Sequence, residues 1–200
     1  MAPCLRYKMP RVCSAMTRVA RVAPGARPRL FEKLCLEGFQ AGLSWLTILN
    51  KREAFRAAMA NFEAEELARF GAAEVRQLLA NAAIVRHRGK IESAIHNARQ
   101  VLLLRAEFGS FAAYVWRHAE QAAQARPERI TAAQLRTMTT SPASQALSRD
   151  LKKRGFTFVG PTTMYAFMQA MGLVNDHVEG CAARERADAA RAAFVLPRSG

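Results

Sequence analysis

The chain has 200 residues, 50% of them apolar, with 30 lysines and arginines against 16 acids and a formal net charge of +14. That length and apolar content supply one core, or two small subdomains sharing one, and exclude a disordered chain and a disulfide mini-protein. The basic surplus points to an anionic partner, nucleic acid before an anionic membrane surface, while a merely basic protein stays open.

The helix formers Ala, Leu, Arg, Glu and Gln dominate and strand-like alternation is nearly absent, so the chain reads as all-α. Leu30, Phe31, Leu34 and Cys35 give the apolar face of a first helix that ends near Gly38. Ser44 is placed to N-cap a second, which carries Trp45, Ile48, Leu49 and Phe55. A short helix over 63–70 stops at Gly71, and 72–82 follows with Val75, Leu78 and Leu79 inward. A long helix over 90–108 places Ile91, Ile95, Ala98, Val101 and Leu102 on one face, and another over 111–125 contains Val115 and Trp116. A polar connection with Pro127 separates the halves. Ser141-Pro142 is an N-cap with proline at the first helical position, opening a helix to Arg154. A turn over 155–161 leads to a last core helix, 162–171, and residues 182–194 read as a frayed terminal helix. The uncharged run 155–175 is interrupted by Gly160, Pro161, Thr162, Thr163 and Gln169, so it reads as a buried helix with its lead-in loop rather than a membrane span.

The charge is uneven. Residues 1–33 hold eight basic side chains (Arg6, Lys8, Arg11, Arg18, Arg21, Arg27, Arg29 and Lys33) and one acid, Glu32, and so carry half of the net charge. The four cysteines, Cys4, Cys13, Cys35 and Cys181, form no Cys-x-x-Cys pair and are too sparse for a secreted scaffold, which suits a reducing compartment. No secretory signal is visible, and Pro3, Pro10, Pro24 and Pro28 break the amphipathic helix that an Arg-rich presequence needs.

Two segments carry chemistry. A basic helix ends in Lys152-Lys153-Arg154, Gly155 stops it, a tight turn FTFVGP follows, and an apolar helix starts at Thr162. Gly160 before a helix start leaves backbone N–H groups available to a phosphate, a contact that reads no base sequence, and the basic triplet adds non-specific attraction. An ordinary helical hairpin with solvated lysines fits the same pattern. Val85-Arg86-His87-Arg88-Gly89-Lys90 is a candidate second phosphate-contacting turn, with a solvated surface turn as the alternative.

The strings LFEKLCLEGFQAGLSWLTILNKRE (30–53), IVRHRGKIESAIHNAR (84–99) and SPASQALSRDLKKRGFTFVGPTTMYAFMQAMGLVNDHVEGC (141–181) resemble the 3-methyladenine DNA glycosylase I family. The resemblance implies an all-α helix–hairpin–helix glycosylase fold with two helical lobes around a base-binding cleft. It divides the chain into a divergent basic segment (1–29), a glycosylase domain (30–181) and a C-terminal tail (182–200). It implies a cytoplasmic, nucleoid-associated monomer in base excision repair that extrudes 3-methyladenine from alkylated double-stranded DNA and hydrolyses its N-glycosidic bond. N3-methylation puts a delocalised positive charge on the base. Glu37 matches the family glutamate that hydrogen-bonds the base edge, and Trp45 matches the tryptophan that stacks on it, where cation–π attraction selects the alkylated ring. Taken alone, without the resemblance, Glu37 reads rather as a solvated helix-end residue and Trp45 as a core aromatic. Leu43 matches part of the wedge into the base stack. The family has no lysine nucleophile, so Lys152 and Lys153 are expected to contact phosphate together with Arg154, Gly155, Gly160 and Thr162.

His177 and Cys181 match the family's C-terminal zinc ligands, and Cys4 matches a third in position. Structural zinc takes four N or S ligands. The family histidine is missing, because residues 1–29 contain no histidine. The same segment holds Tyr7 but no tryptophan, where the family has an aromatic-rich, acid-bearing stretch. From Leu30 onward the resemblance is close. So abrupt a border points to a shifted reading frame upstream: Ala15-Met16-Thr17 encoded GCC-ATG-ACN contains CAT-GAC, His-Asp, when shifted by one base. As written, the sequence predicts a weakened or absent zinc site. Two rival functions remain at this level, a catalytically impaired or non-catalytic DNA-binding relative and a basic all-α interaction module. No aspartate base is assigned; Asp176 beside His177 reads as support for the metal site.

Overall fold

The structure is a computed structural model that describes residues 27–124 and 130–195. Expectations placed on residues 1–26, those on Cys4 among them, lie outside the described residues. Those described form eleven α-helices and one 3-10 turn, with no strand among them. In chain order they are α1 (Arg27–Gln40), α2 (Trp45–Asn50), α3 (Arg52–Ala58), the 3-10 turn (Ala60–Phe62), α4 (Ala64–Leu67) and α5 (Ala72–Ala80). Then come α6 (Arg88–Phe108), α7 (Phe111–Gln124), α8 (Ala132–Thr137), α9 (Pro142–Lys153), α10 (Pro161–Ala170) and α11 (Ala182–Ala192). No described helix is long and apolar enough to cross a membrane.

The long helix α6 is the spine. Ile91, Ala94, Ile95, Ala98, Val101 and Leu104 recur at helical spacing and are all buried. α1, α4, α5 and α7 pack on it, α9 packs on α7 and α10, and α10 closes back on α1. One core cluster runs through these elements, with Phe31, Phe39, Phe55, Phe62 and Phe167 fully buried. Each such side chain stabilises the fold by roughly 1.5–3 kcal/mol.

Local signals explain several boundaries. Ser44 caps α2 by accepting from the Thr47 N–H at 3.1 Å. Ser141 accepts from the Ser144 N–H at 3.1 Å while Ser144 accepts from the Ser141 N–H at 2.9 Å, with Pro142 at the first position of α9. Four expectations are corrected. α1 does not end at Gly38 but continues to Gln40, because this glycine serves an approach of chains rather than a stop. A Cβ there would meet the Phe158 Cβ at 3.3 Å. The helix expected from Ser44 to Phe55 breaks at Lys51, whose ammonium reaches the Ala82 and Ala83 carbonyls at 3.1 and 3.0 Å. Gly71 is the N-cap of α5, its N–H donating to the Glu74 carboxylate at 2.7 Å. α11, expected to fray, is docked by Phe194 stacked on Trp116 at 4.5 Å and by Arg191 on the Gly172 carbonyl.

A buried carboxylate fastens α1 to α3. Glu32, 3% exposed, accepts two hydrogen bonds from Arg52 (2.7 and 3.0 Å) and two from Arg56 (2.8 and 3.0 Å). Burial alone would raise its pKa, but the two guanidiniums together outweigh this and hold it below the ordinary carboxylate value. A depressed folded pKa contributes stability above the unfolded value and loses it as pH falls through the folded one. Glu32→Gln is therefore expected to lower stability at neutral pH by about 2 kcal/mol, discounted because both guanidiniums reach solvent. The deficit should shrink as pH drops below about 4.3, read by urea unfolding across pH.

Candidate base-binding site and nucleic-acid interface

The C-terminal half of α1 and the start of α2 form a tight elbow. The Leu43 N–H donates to the Gln40 carbonyl at 2.7 Å, the Gln40 side-chain amide donates to the Leu43 carbonyl at 2.7 Å, and Gly42 takes the left-handed conformation (φ 78°). The Ser44 cap then starts α2, so Trp45 turns back toward α1. Glu37 lies on α1, buried at 5% exposure. Between the two sits a third side chain that the sequence reading did not include. The Lys33 ammonium lies 2.6 Å from Glu37 Oε1 and 3.6 Å from the centroid of the Trp45 ring. Burial pulls the Lys33 pKa down, with Glu37 pulling it back up, and the net position is below the ordinary lysine value. The two predicted pocket residues are thus brought together, and their shared contact is a cation. The i,i+4 spacing of Lys33 and Glu37 was the available signal. Leu43 stands exposed at the tip of the elbow.

One face of α6 holds both this elbow and the turn between α9 and α10. The Lys90 ammonium donates to the Phe39 carbonyl at 2.9 Å and the Ala41 carbonyl at 2.5 Å, satisfying acceptors left over at the end of α1. Lys90 is buried, so the expected phosphate-contacting turn loses this member. His87 instead caps α6, accepting from the Lys90 N–H at 3.3 Å, and Arg88 pairs with Glu92 at 3.2 Å. Farther along α6, His96 Nε2 donates to the Gly155 carbonyl at 2.8 Å. The Asn97 amide binds both backbone groups of Thr157, accepting from its N–H at 3.0 Å and donating to its carbonyl at 2.9 Å.

The turn itself is a strained loop on rigid supports. Gly155 takes φ 85° after α9, where L side chains rarely go, and Phe158 takes φ 56° with its ring exposed. Ser148 on α9 donates to the Val159 carbonyl at 2.6 Å. Gly160 is the N-cap of α10 and Pro161 its first residue, so no side chain caps the first-turn N–H groups. A Cβ at Gly160 would meet nothing nearer than Thr163 Oγ1 at 3.9 Å. Lys152, Lys153, Gly155 and Thr162 are exposed around this terminus. Arg154 is not free among them. It pairs with Glu107 at 2.6 and 3.2 Å and lies over the Phe108 and Tyr114 rings at 5.0 and 5.3 Å, which ties α9 to α6 and α7.

The sequence matches the methyladenine glycosylase family over residues 23–185. The chain belongs to this family. It is 49% identical over 156 residues to DNA-3-methyladenine glycosylase 1 of Escherichia coli (strain K12), covering 76% of this chain and 80% of that protein. It is 42% identical over 154 residues to the DNA-3-methyladenine glycosylase of Haemophilus influenzae, covering 76% and 81%. The fold is similar to that of 3-methyladenine DNA glycosylase I from Staphylococcus aureus, solved for the structural basis of 3-methyladenine recognition. That likeness has a TM-score of 0.72 at 34% identity, over 79% of this chain and 82% of the other.

Membership in the family raises the question of zinc. His177 Nδ1 and Cys181 Sγ are brought within 3.8 Å, and both residues are buried. The His177 N–H donates to Asn175 Oδ1 at 3.2 Å and its carbonyl accepts from Arg184 at 3.0 Å, which fixes the backbone beside Cys181. No cluster of three or more His, Cys, Asp or Glu side chains suited to a metal occurs among the described residues. The described residues thus bring together two N or S donors, His177 and Cys181, of the four that structural zinc takes, and Cys4 lies outside them. Asp176, the other acid here, is buried and accepts from the Gln169 side-chain amide at 2.8 Å.

Proposed function

We propose that the chain is a monofunctional DNA N-glycosylase that flips 3-methyladenine out of alkylated duplex DNA and hydrolyses its bond to deoxyribose. The observation that carries this reading is the cation held between Glu37 and Trp45: the site is built to stabilise positive charge against a carboxylate and an indole face. The alkylated base in DNA bears such a charge, and unmodified adenine does not, so the same two contacts discriminate between them. When the glycosidic bond breaks, its electron pair moves onto the ring, the base leaves uncharged, and water adds to the sugar with loss of a proton. The charge on the ring already weakens that bond, so no side chain has to protonate the base.

In this reading α9, the turn and α10 are the helix–hairpin–helix that grips the backbone, and the helical body divides into two lobes around the cleft. The uncapped N–H groups of α10 take one phosphate, and exposed Lys152 and Lys153 add the salt-sensitive attraction. Leu43, exposed at the elbow tip, enters the gap left by the extruded nucleotide. The elbow and the hairpin are fastened to the same face of α6, so the wedge and the phosphate grip keep a fixed relation to each other.

Incubation with methylated duplex DNA should release free 3-methyladenine and leave abasic sites without strand nicks or borohydride-trapped adducts. DNA binding without base release would overturn the enzyme and leave a non-catalytic relative. A trapped lysine adduct would overturn monofunctional hydrolysis.

A further inference from the structure

We propose that Lys33 is a built-in competitor for the base site: its ammonium occupies the place of a charged base between Glu37 and Trp45, yields to the cationic substrate and retakes the place once the base has become uncharged. This rests on Glu37 and Trp45 being the base site. Lys33 and Glu37 lie one turn apart on α1, and the indole is carried to them by the Ser44-capped elbow, so both contacts of the ammonium belong to groups that a base must engage.

The balance follows from charge. A positively charged ring entering the site replaces the ammonium on both partners, so the Glu37 carboxylate is never left buried without a counter-charge. An unmodified, neutral base offers the stacking contact but no counter-charge, and displacing Lys33 for it would strand the carboxylate. Lys33 therefore sharpens selection at entry. After bond cleavage the electron pair of the glycosidic bond resides on the base, which is then neutral and loses to the ammonium on both contacts. The partial desolvation of Lys33, which lowers its affinity for a proton, also favours its moving toward water while substrate is bound. Its side chain is 17% exposed, so Lys33 is not sealed from solvent.

The test measures binding of free 3-methyladenine, the uncharged product, by calorimetry at neutral pH. Wild type, Lys33→Met, Lys33→Arg and Trp45→Ala are compared, with thermal melts confirming that each is folded. Lys33→Met should bind the free base about tenfold more tightly than wild type, because a cation–π contact and an ion pair no longer oppose it. Lys33→Arg, which restores both contacts, should behave as wild type. Under multiple turnover Lys33→Met should show stronger inhibition by added free base. Equal binding by wild type and Lys33→Met, with Trp45→Ala abolishing it, would overturn the role of Lys33 and leave the base site standing. Binding unaffected by Trp45→Ala would overturn the base site and the Lys33 role with it. Absence of binding to Lys33→Met as well as wild type would equally overturn the Lys33 role, since vacating the two groups must create a site.

Discussion

Trp45→Ala is expected to slow release of 3-methyladenine from methylated DNA about 30-fold, the equivalent of roughly 2 kcal/mol for a desolvated cation–π contact. Glu37→Gln is expected to slow it by on the order of 10- to 100-fold, since a hydrogen bond to a charged group contributes about 1.5–3 kcal/mol. The two losses should not add in the double variant, because both groups act on one delocalised charge. Single-turnover rates are the right measure, since they exclude product release. Trp45 is half-buried and packs against the core, so a melting curve must accompany each rate, and Trp45→Phe separates packing from the strength of the aromatic face. Wild-type rates in both single variants would remove Glu37 and Trp45 from the site. The expected discrimination has a second signature: unmodified adenine gains little from either residue, so selectivity and rate should fall together.

What was legible in the sequence was local. The caps at Ser44 and Ser141 are satisfied within three residues, and proline at the start of α9 needs no distant partner, so these boundaries could be read directly. The pairing of Glu37 with Trp45 was legible because a short elbow separates them, and family resemblance supplied the roles. What was misread depended on distant contacts. Gly38 reads as a helix stop until Phe158, 120 positions later, is seen against it at 3.3 Å. Lys90 reads as a phosphate contact because sequence displays a charge but not its partner; it binds carbonyls at the end of α1. Lys33 was passed over for the same reason, counted in a basic segment rather than matched to the carboxylate four residues on. The left-handed turn through Ala60, Asn61 and Phe62 had only Asn61 as a cue, and its purpose, full burial of Phe62, is tertiary. The six-residue α8 fell inside a segment too polar and short to show periodicity, and it exists because Ala132 and Leu135 pack on Val178 and Cys181.

The other large effect is expected at Asn97. Its buried amide gives the Thr157 backbone the two hydrogen bonds that a neighbouring strand would give, at 3.0 and 2.9 Å. Asn97→Ala leaves the Thr157 N–H to find water, at about 1–3 kcal/mol, and removes the shorter of two donors to its carbonyl, which keeps Ser93 Oγ at 3.3 Å. Ser93 still meets Thr157 Oγ1 at 2.6 Å and Ser148 still holds Val159 at 2.6 Å, so the fold should survive while the loop between them relaxes. Phe158, held at φ 56° against the helix bearing Glu37, is the residue most dependent on that restraint. DNA affinity should fall at least about tenfold, since about 1.4 kcal/mol of lost preorganisation suffices. The loss should appear at every salt concentration, because no phosphate-contacting charge has been removed. Lys152→Gln should do the opposite, lowering the slope of log affinity against log salt by about one while leaving the loop intact. Anisotropy titrations of labelled duplex across salt separate the two. A flattened slope for Asn97→Ala would place its effect in charge rather than geometry, and unchanged affinity would mean that the hairpin between α9 and α10 does not carry the DNA contact.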